Sequence, residues 1–532
     1  TIRETVTFSA KMRLDESDEA VNADSLEKWV TQTLRMLELK GIQHFVVGSD
    51  LTGGLSFEQR KRLSIAVELA ANPSLIFLDE PTSGLDARAA SIVMRGLKRI
   101  ADTGRAVCAT IHQPSIAIFS SFDSLLLLKR GGETVYFGAL GEDSCNLIDY
   151  LEGYPSTPKI QIGENPATWM LTTIGAGSSP GGDSKPFDYA ASYSQSKLRK
   201  ECLDQITSFN AHAAEENKIT YPSKYATSRK KQNTAVLRRM LRIYWRSPSY
   251  NRTRTLVAAI IALLFGSVFA VQRVPETEAD MNSRVTSIYI TCLFLGVNSF
   301  NTVLPVYEVE RNMYYRHKAA LMYDHNAINL AFTVSEIPFI VVSGMIFLVC
   351  FYFLLGFSLL AYKFFLYYMF FTLNMAFWTF LGQGFMALFK DSVTAQGFGA
   401  VITGLSSIFT GVLIRPQYIA GFWIWAYWTM PGHYVLEGLL VSQFHEDTTP
   451  IIPSVGSPFY DAVWANECPD APYGEPLPEG CTGTAEQWIY ISFGGMFVWG
   501  HIGYNTIYLV GVLLLSKLIA FVALKKLNYL AK

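Results

Sequence analysis

The apolar positions of this chain change character near residue 250. Before that point they form short runs and helical stripes; after it they fuse into long stretches. In the first part, Leu75 to Leu78 is a run of four apolar residues that predicts a short strand buried on both faces. Ala106 to Ile111 predicts a second strand, and Phe122 to Leu128 with Thr134 to Phe137 predict a hairpin with Gly131-Gly132 at its tip. Helical spacing at Leu26, Trp29, Val30, Thr33, Leu34 and Leu37 predicts a helix over 24–40 that stops at Gly41, and a second helical pattern runs from Arg60 to Ala71. Gly175 to Ser184, GAGSSPGGDS, is the composition of a flexible linker, and a polar helical stretch follows to about Lys231. Asn233 to Ser247 sets Val236, Leu237, Met240, Leu241 and Tyr244 on one face beside Arg238, Arg239, Arg242 and Arg246. That predicts a basic amphipathic helix for a cytosolic membrane surface, with a solvated surface helix as the alternative.

Six apolar runs complete the chain, at 253–271, 285–306, 328–355, 361–388, 396–414 and 497–524. Each is long enough to cross the roughly 30 Å hydrocarbon layer of a bilayer, which takes about twenty helical residues. Basic residues set the expected orientation. Arg252 and Arg254 precede the first run, Arg311, Arg316 and Lys318 lie between the second and third, and Lys525 and Lys526 follow the sixth. Between the fifth and sixth, Glu437, Glu446, Asp447, Asp461, Glu467, Asp470, Glu475, Glu479 and Glu486 stand against Arg415 alone. Both termini are therefore expected in the cytosol, with a large outer loop over 415–496; Lys363, in an expected outer turn, is an exception. Phe422 to Trp428 is dense in aromatics and fits an interfacial belt or a helix dipping into the membrane.

Composition adds that much of the chain sits in lipid: 50% of residues are hydrophobic, 14% aromatic and only 17% charged. A length of 532 suggests three or four domains by the usual prior, but the apolar content is unevenly spread. The net charge of -1 offers no basic excess for neutralising phosphates, which argues against a nucleic-acid partner. The seven cysteines include no CxxC pair. Cys468 and Cys481 flank a Pro/Gly/Glu-rich segment on the expected outer side, where a disulfide is expected to add about 3 kcal/mol in the chain-entropy model. Cys108, Cys145, Cys202, Cys292 and Cys350 are expected to stay reduced. Thr1 to Leu14 is not a secretory leader, so insertion rests on the internal spans.

The candidate chemistry begins where the Leu75–Leu78 strand runs into Asp79 and Glu80. Adjacent carboxylates at a strand end suit a cation and a water: one acid near Mg²⁺, the other orienting or deprotonating the attacking water of a nucleotide hydrolysis. In isolation such a pair is as readily a solvated strand end. Its neighbours decide otherwise: Leu55 to Arg60 reads LSFEQR, Ser83 to Asp86 forms a turn after the acids, and the second strand ends at His112-Gln113-Pro114-Ser115.

In order and spacing these segments resemble the nucleotide-binding domain of ABC transporters: a signature loop, a Walker B strand, a D-loop and a switch histidine. The wording LSFEQRKRLSIAVELAANP is similar to the second half of full-length G-subfamily transporters of the pleiotropic drug resistance type. The resemblance implies an α/β P-loop NTPase-type domain lacking its N-terminal part over 1–173, a linker over 174–231, and an all-α six-helix ABC-2 type transmembrane domain over 232–532. It implies ATP and Mg²⁺ as cofactors, Glu80 and His112 as catalytic, Asp79 near the metal, and Ser56, Gln59 and Asp86 at nucleotide. A lone histidine is more often a satisfied core or surface residue; the resemblance reads His112 as a donor to the γ-phosphate. No GxxxxGK[ST] occurs, so the chain is expected to begin at a break within a longer protein, with the phosphate loop ahead of Thr1; a catalytically dead relative is the other reading.

Phe57 and Glu58 stand where the family has two glycines. A carboxylate about 4 Å from a phosphate at an effective dielectric near 20 costs roughly 4 kcal/mol, about three decades of affinity, so the composite site closed by Ser56 is expected to be degenerate. The implied partners are an N-terminal half with complementary domains, the lipid bilayer, and a hydrophobic or amphipathic small molecule or lipid. Gly163 to Met170 resembles the family segment that closes the nucleotide domain, or is a plain loop–helix junction. Tyr307 to His325 resembles a cytosolic loop that receives force from that domain, with Glu308, Glu310, Arg311 and Arg316 as expected contacts over plain positive-inside anchoring. Phe294, Asn298, Ser299 and Asn301 with Ser406, Phe409 and Thr410 either line a central substrate cavity or bond helix to helix. Glu336 in the third span is read as structural. A membrane regulator or channel that only binds ATP is the alternative function, which the intact acids and histidine disfavour.

Overall fold

A computed structural model describes residues 1–14, 23–49, 53–175, 187–211, 223–270, 273–478 and 480–529. The chain divides into two units, Thr1–Thr227 and Ser228–Lys532.

The first unit runs α1 (Ile2–Arg13), α2 (Ala23–Met36), β1 (Gly48–Ser49), β2 (Gly53–Gly54), α3 (Phe57–Leu69), β3 (Leu75–Leu78), α4 (Ala87–Ala101), β4 (Ala106–Ala109) and α5 (Ile116–Phe119). There follow β5 (Ser124–Leu128), β6 (Thr134–Ala139), α6 (Cys145–Glu152), α7 (Pro166–Thr173), α8 (Tyr189–Gln195) and α9 (Lys197–Ala211). Its main core packs Val6 and Ala10 of α1, Leu34 of α2, Ala66 and Leu69 of α3, and Val93 and Leu97 of α4 around Ile76. β3 and β4 pair in parallel, Leu75 opposite Ala106 and Leu78 opposite Ala109, so the two strands end level with one another. The expectation that β3 is buried on both faces is corrected: Ile76 is 7% exposed, but Leu75 is 52% and Phe77 74% exposed. Helices cover one face, and among the described residues no strand other than β4 pairs with β3.

Two helix limits also differ from the sequence reading. α2 ends at Met36 because Glu38 takes φ 56°, and Gly41 falls inside the short 3-10 turn Lys40–Ile42. The hairpin forms as expected, β5 antiparallel to β6 with Leu127 opposite Tyr136. Gly131 (φ 98°) and Gly132 (φ 82°) supply the left-handed backbone that its tip requires. Gly163–Met170 is a loop–helix junction in which Asn165 caps α7 and Pro166 takes its first turn. The expected linker over 174–231 is in part folded. α8 buries Tyr189, Ala190 and Tyr193 against the hairpin, and the division between units falls at Thr227/Ser228. Of GAGSSPGGDS, all but Gly175 lies outside the described residues.

The second unit runs α10 (Arg229–Trp245), α11 (Pro248–Phe269), α12 (Glu278–Ala319), α13 (His325–Leu354), α14 (Ala361–Leu388), α15 (Ser392–Phe409), α16 (Ile424–Thr429) and α17 (Pro431–Phe444). It closes with β7 (Pro450–Ile451), α18 (Pro458–Glu467), β8 (Gly483–Thr484), α19 (Ala485–Ser492) and α20 (Ile502–Lys526). Six helices among the described residues are long and apolar enough to cross a membrane: Tyr250–Phe269, Glu278–Ala319, His325–Leu354, Ala361–Leu388, Ser392–Phe409 and Trp499–Lys526. The amphipathic stripe of α10 faces α13 rather than lipid, burying Gln232, Val236, Met240 and Tyr244. The interior partner is available because α13 presents its own apolar surface alongside.

The segment expected on the outer side is not an open loop. α17 buries His433 to Phe444 between α14 and α20, and Glu437 belongs to that core, accepting from His501 Nδ1 at 2.8 Å, rather than to a solvated acidic stretch. Lys363, the exception in the charge pattern, is 4% exposed and donates to the carbonyls of Gln443 (3.0 Å) and His445 (2.5 Å). It caps the C-terminus of α17, where a cation meets the negative end of the helix. Cys468 and Cys481 form a disulfide with S–S 2.00 Å; Cys108, Cys145, Cys202, Cys292 and Cys350 are free. Glu479 lies outside the described residues.

Candidate functional site

The parallel register of β3 and β4 brings Asp79-Glu80 and Thr110 to one edge, with His112 two residues beyond Thr110. Thr110 joins the two strand ends: its hydroxyl donates to Asp79 Oδ1 at 2.7 Å and its oxygen accepts the Glu80 N–H at 2.8 Å. Glu80 takes φ 44°, a backbone state that a non-glycine residue holds only when its surroundings fix it. Lys61 of α3 does part of that, donating to the carbonyls of Glu80 at 3.3 Å and of Ser83. Both carboxylates and His112 are exposed. Asp86 is turned to α4, where its Oδ1 accepts the Ala89 N–H at 2.7 Å as an N-cap. The donor type suits a magnesium-bound triphosphate: Mg²⁺ takes one or two carboxylates and completes its shell from phosphate and water. No group of three His, Cys, Asp or Glu side chains among the described residues competes for such an ion. Thr110 and Lys61 escaped the sequence reading; a threonine interrupting an apolar strand in register with the acids was the available signal for the first.

At the head of α3, Ser56 and Gln59 form a capping box. Ser56 Oγ accepts the Gln59 N–H at 3.2 Å and Gln59 Oε1 accepts the Ser56 N–H at 3.1 Å. Phe57 is 60% exposed, with its ring against Gly84. Glu58 does not point freely ahead of the helix. It pairs with Arg62 at 2.9 Å, one turn on, while Arg62 also donates to the carbonyls of Leu37 (3.1 Å) and Glu38 (3.2 Å). The repulsion expected from a free carboxylate is therefore reduced by a neighbouring cation; the bulk of Phe57 and the loss of bare glycine backbone remain.

The Tyr307 to His325 segment is corrected from loop to helix: α12 continues to Ala319. Glu310, 6% exposed, pairs with Arg239 of α10 at 2.8 Å. Arg311, fully buried, donates to the carbonyls of Met386, Phe389 and Lys390 and lies over the Tyr529 ring at 4.9 Å. Neither side chain is available as a surface contact; Glu308 is half-buried and Arg316 exposed. Arg254, expected as a basic flank, is 1% exposed and lies 3.4 Å from Glu336 Oε2. Glu336 also accepts from Tyr244 (2.8 Å), Gln383 (3.1 Å) and Tyr250, while Lys517 donates to Gln383 at 2.7 Å. This network ties α10, α11, α13, α14 and α20, so a buried carboxylate that would be costly alone is fully engaged.

The residues expected to line a substrate cavity or to bond helix to helix do not gather around one space. Ser406 and Thr410 line a space with Asn374 and Trp378, but its volume is about 30 Å³, room for a water or two. Drug-sized ligands occupy roughly ten times that. Phe294 is 52% exposed on the outside, Asn301 is exposed, Asn298 is half-buried, Ser299 is buried, and Phe409 packs on Trp423 at 5.9 Å.

Residues 1–83 match the ABC transporter family and residues 231–444 the ABC-2 type transporter family. Among curated proteins, ABC transporter G family member 36 of Oryza sativa subsp. indica is 39% identical over 454 residues, 85% of this chain and 31% of the relative. ABC transporter G family member 37 of Arabidopsis thaliana is 40% identical over 457 residues, 84% of this chain and 31% of the relative. The chain thus spans about a third of the length of these relatives. With both family segments in order on one chain, the chain carries an ABC transporter segment followed by an ABC-2 type transporter segment, and along more than four-fifths of its length it is similar to ABC transporters of the G family.

Proposed function

We propose that this chain acts as the second half of a full-length pleiotropic-drug-resistance-type transporter, exporting hydrophobic or amphipathic small molecules or lipids at the expense of ATP. The carrying observation is the level ending of β3 and β4, which gathers Asp79, Glu80 and Thr110 at one edge with His112 close along the chain, on a chain that also holds six membrane-length helices. Bound Mg²⁺·ATP supplies a phosphoanhydride whose γ-phosphate is open to in-line attack by water. Asp79, oriented by Thr110, would offer a carboxylate to the ion; Glu80, held by Lys61 and Thr110, would accept the proton of the attacking water; His112 would donate to phosphate oxygen.

An N-terminal half is the proposed partner, supplying a glycine signature to this acid pair and receiving Ser56, Phe57 and Glu58 in return. Those substitutions leave the second composite site degenerate, one competent site against one weak one. The basic residues of that pattern that stay exposed, Arg252, Arg316, Lys525 and Lys526, support cytosolic termini in a plasma membrane, with the disulfide-bearing segment outside. In the complete protein, Glu80→Gln should lower ATP turnover by about 10²- to 10⁴-fold, the worth of a general base, while photolabelling by azido-ATP persists. Turnover equal to wild type would contradict the assignment.

A further inference from the structure

A ligand-sized cavity in the membrane unit lies away from the residues expected at the substrate path. It is bounded by α17, α19 and the turn that leads into α20, and its volume is about 350 Å³, against about 30 Å³ for the space beside Ser406 and Thr410. That volume falls in the range that holds a drug-sized molecule. Its walls are largely apolar, from Val441 and Phe444 on one side and Ile489 and Phe497 on the other.

The polar groups of the lining are few: Glu486, His445, Gln487 and Tyr490. Glu486 is the one charged residue of the lining, 47% exposed, and no lysine or arginine joins it. His445 sits beside it, Nδ1 at 2.8 Å from Glu486 Oε1, with its ring stacked on Trp499 at 4.2 Å. Glu446 adds a second acid at the rim, 3.8 Å from His445 Nε2. Lys363, the nearest basic side chain on this helix end, is committed to the carbonyls of Gln443 and His445. Trp499 and Tyr490 place two aromatic rings in the same lining as the carboxylate. Trp499 also begins the membrane-length segment Trp499–Lys526, so the cavity lies at one end of a helix long and apolar enough to cross a membrane.

We infer that this cavity is a binding site for a hydrophobic monocation, its apolar body among Val441, Phe444, Ile489 and Phe497 and its positive head at Glu486 beside Trp499. An apolar pocket with one anionic group and adjacent aromatic rings selects cations over neutral or anionic molecules of the same shape. None of the lining residues belongs to the acid-pair edge, so the site can be tested without nucleotide and apart from the transport reading.

The test uses the complete protein in lipid nanodiscs without nucleotide, and two ions of nearly equal size and opposite charge, tetraphenylphosphonium and tetraphenylborate. Saturable binding of the phosphonium alone is expected. E486Q, which keeps a hydrogen-bond acceptor for His445 but removes the charge, should weaken it by about tenfold. V441W should abolish it by filling the cavity. Both variants should hydrolyse ATP as wild type does, which shows that they fold. Equal phosphonium affinity in wild type and E486Q, unchanged affinity in V441W, or equal saturable binding of the borate would each overturn the site. Failure of ATP-driven efflux with intact phosphonium binding would leave the site standing and count against the transport proposal alone.

Discussion

Thr110 shows how much a single side chain contributes to the arrangement of the acid pair. Its hydroxyl satisfies both Asp79 Oδ1 and the Glu80 N–H, so removing it strips a donor and an acceptor at once. Each lost bond to a group of this kind is worth about 1 kcal/mol, more where a charge is involved. Thr110→Val should therefore lower ATP turnover about tenfold or more in the complete protein, and Thr110→Ser should restore it; equal rates in all three would show that Asp79 and Glu80 are positioned without it. The acids and the histidine were readable because their types and spacing carry chemistry. Thr110 was less so, since its one signal, a threonine interrupting an apolar strand, takes on meaning only once the parallel register sets that strand beside the acids. Glu58 was readable as a departure, but its neutralising partner was overlooked although Arg62 stands four residues on, a spacing that puts both on one helix face.

At the scale of elements, the sequence located nearly all of the long helices and missed where one of them leads. The mixed charges of Tyr307 to His325 read as a loop, yet α12 runs through them because its charged groups are matched by side chains and carbonyls on α10 and α14. Such matches come from tertiary packing and leave no trace in local periodicity. Removing one member of a buried pair is costly, and Glu310→Ala should destabilise the complete protein by about 3 kcal/mol, whereas Glu310→Gln should cost less. Thermal unfolding of the detergent-solubilised variants measures this, and an unchanged midpoint for the alanine variant would refute it.

The hairpin offers a pH test. Lys129 donates to Asp188 at 2.9 Å, and Asp188 caps α8 through the Ala190 and Ala191 N–H groups. Lys129 and those amides hold the Asp188 carboxyl below its ordinary value. A carboxyl whose folded value is depressed contributes above its unfolded value, near pH 4, and loses that contribution as pH falls through the folded one. The stability difference between wild type and Asp188→Asn should accordingly be constant from pH 5 to 8 and shrink below about pH 4. A difference that grows on acidification would reverse the assignment.

For the whole molecule, the division into a nucleotide-binding part and a membrane part was legible from the change of apolar period near residue 250, and the two units divide at Thr227/Ser228. What was not legible is that the segment between α15 and α20 is folded on α17. Its helix is too short to register as a span and carries Glu437, which read as loop charge until His501 was found opposite it. The exposed side of β3, with Leu75 and Phe77 bare, is likewise invisible to a pattern that sees four apolar residues and infers two covered faces.

The central claim is that hydrolysis at the Asp79/Glu80 edge drives the membrane helices. Its most direct measurement is the uptake of a fluorescent hydrophobic compound into inside-out vesicles carrying the complete protein, with ATP supplied outside. Wild type should accumulate the compound only with Mg²⁺·ATP, and Glu80→Gln should reduce accumulation to the level seen without nucleotide. Equal uptake by the two proteins, or none by wild type while it hydrolyses ATP, would contradict the account.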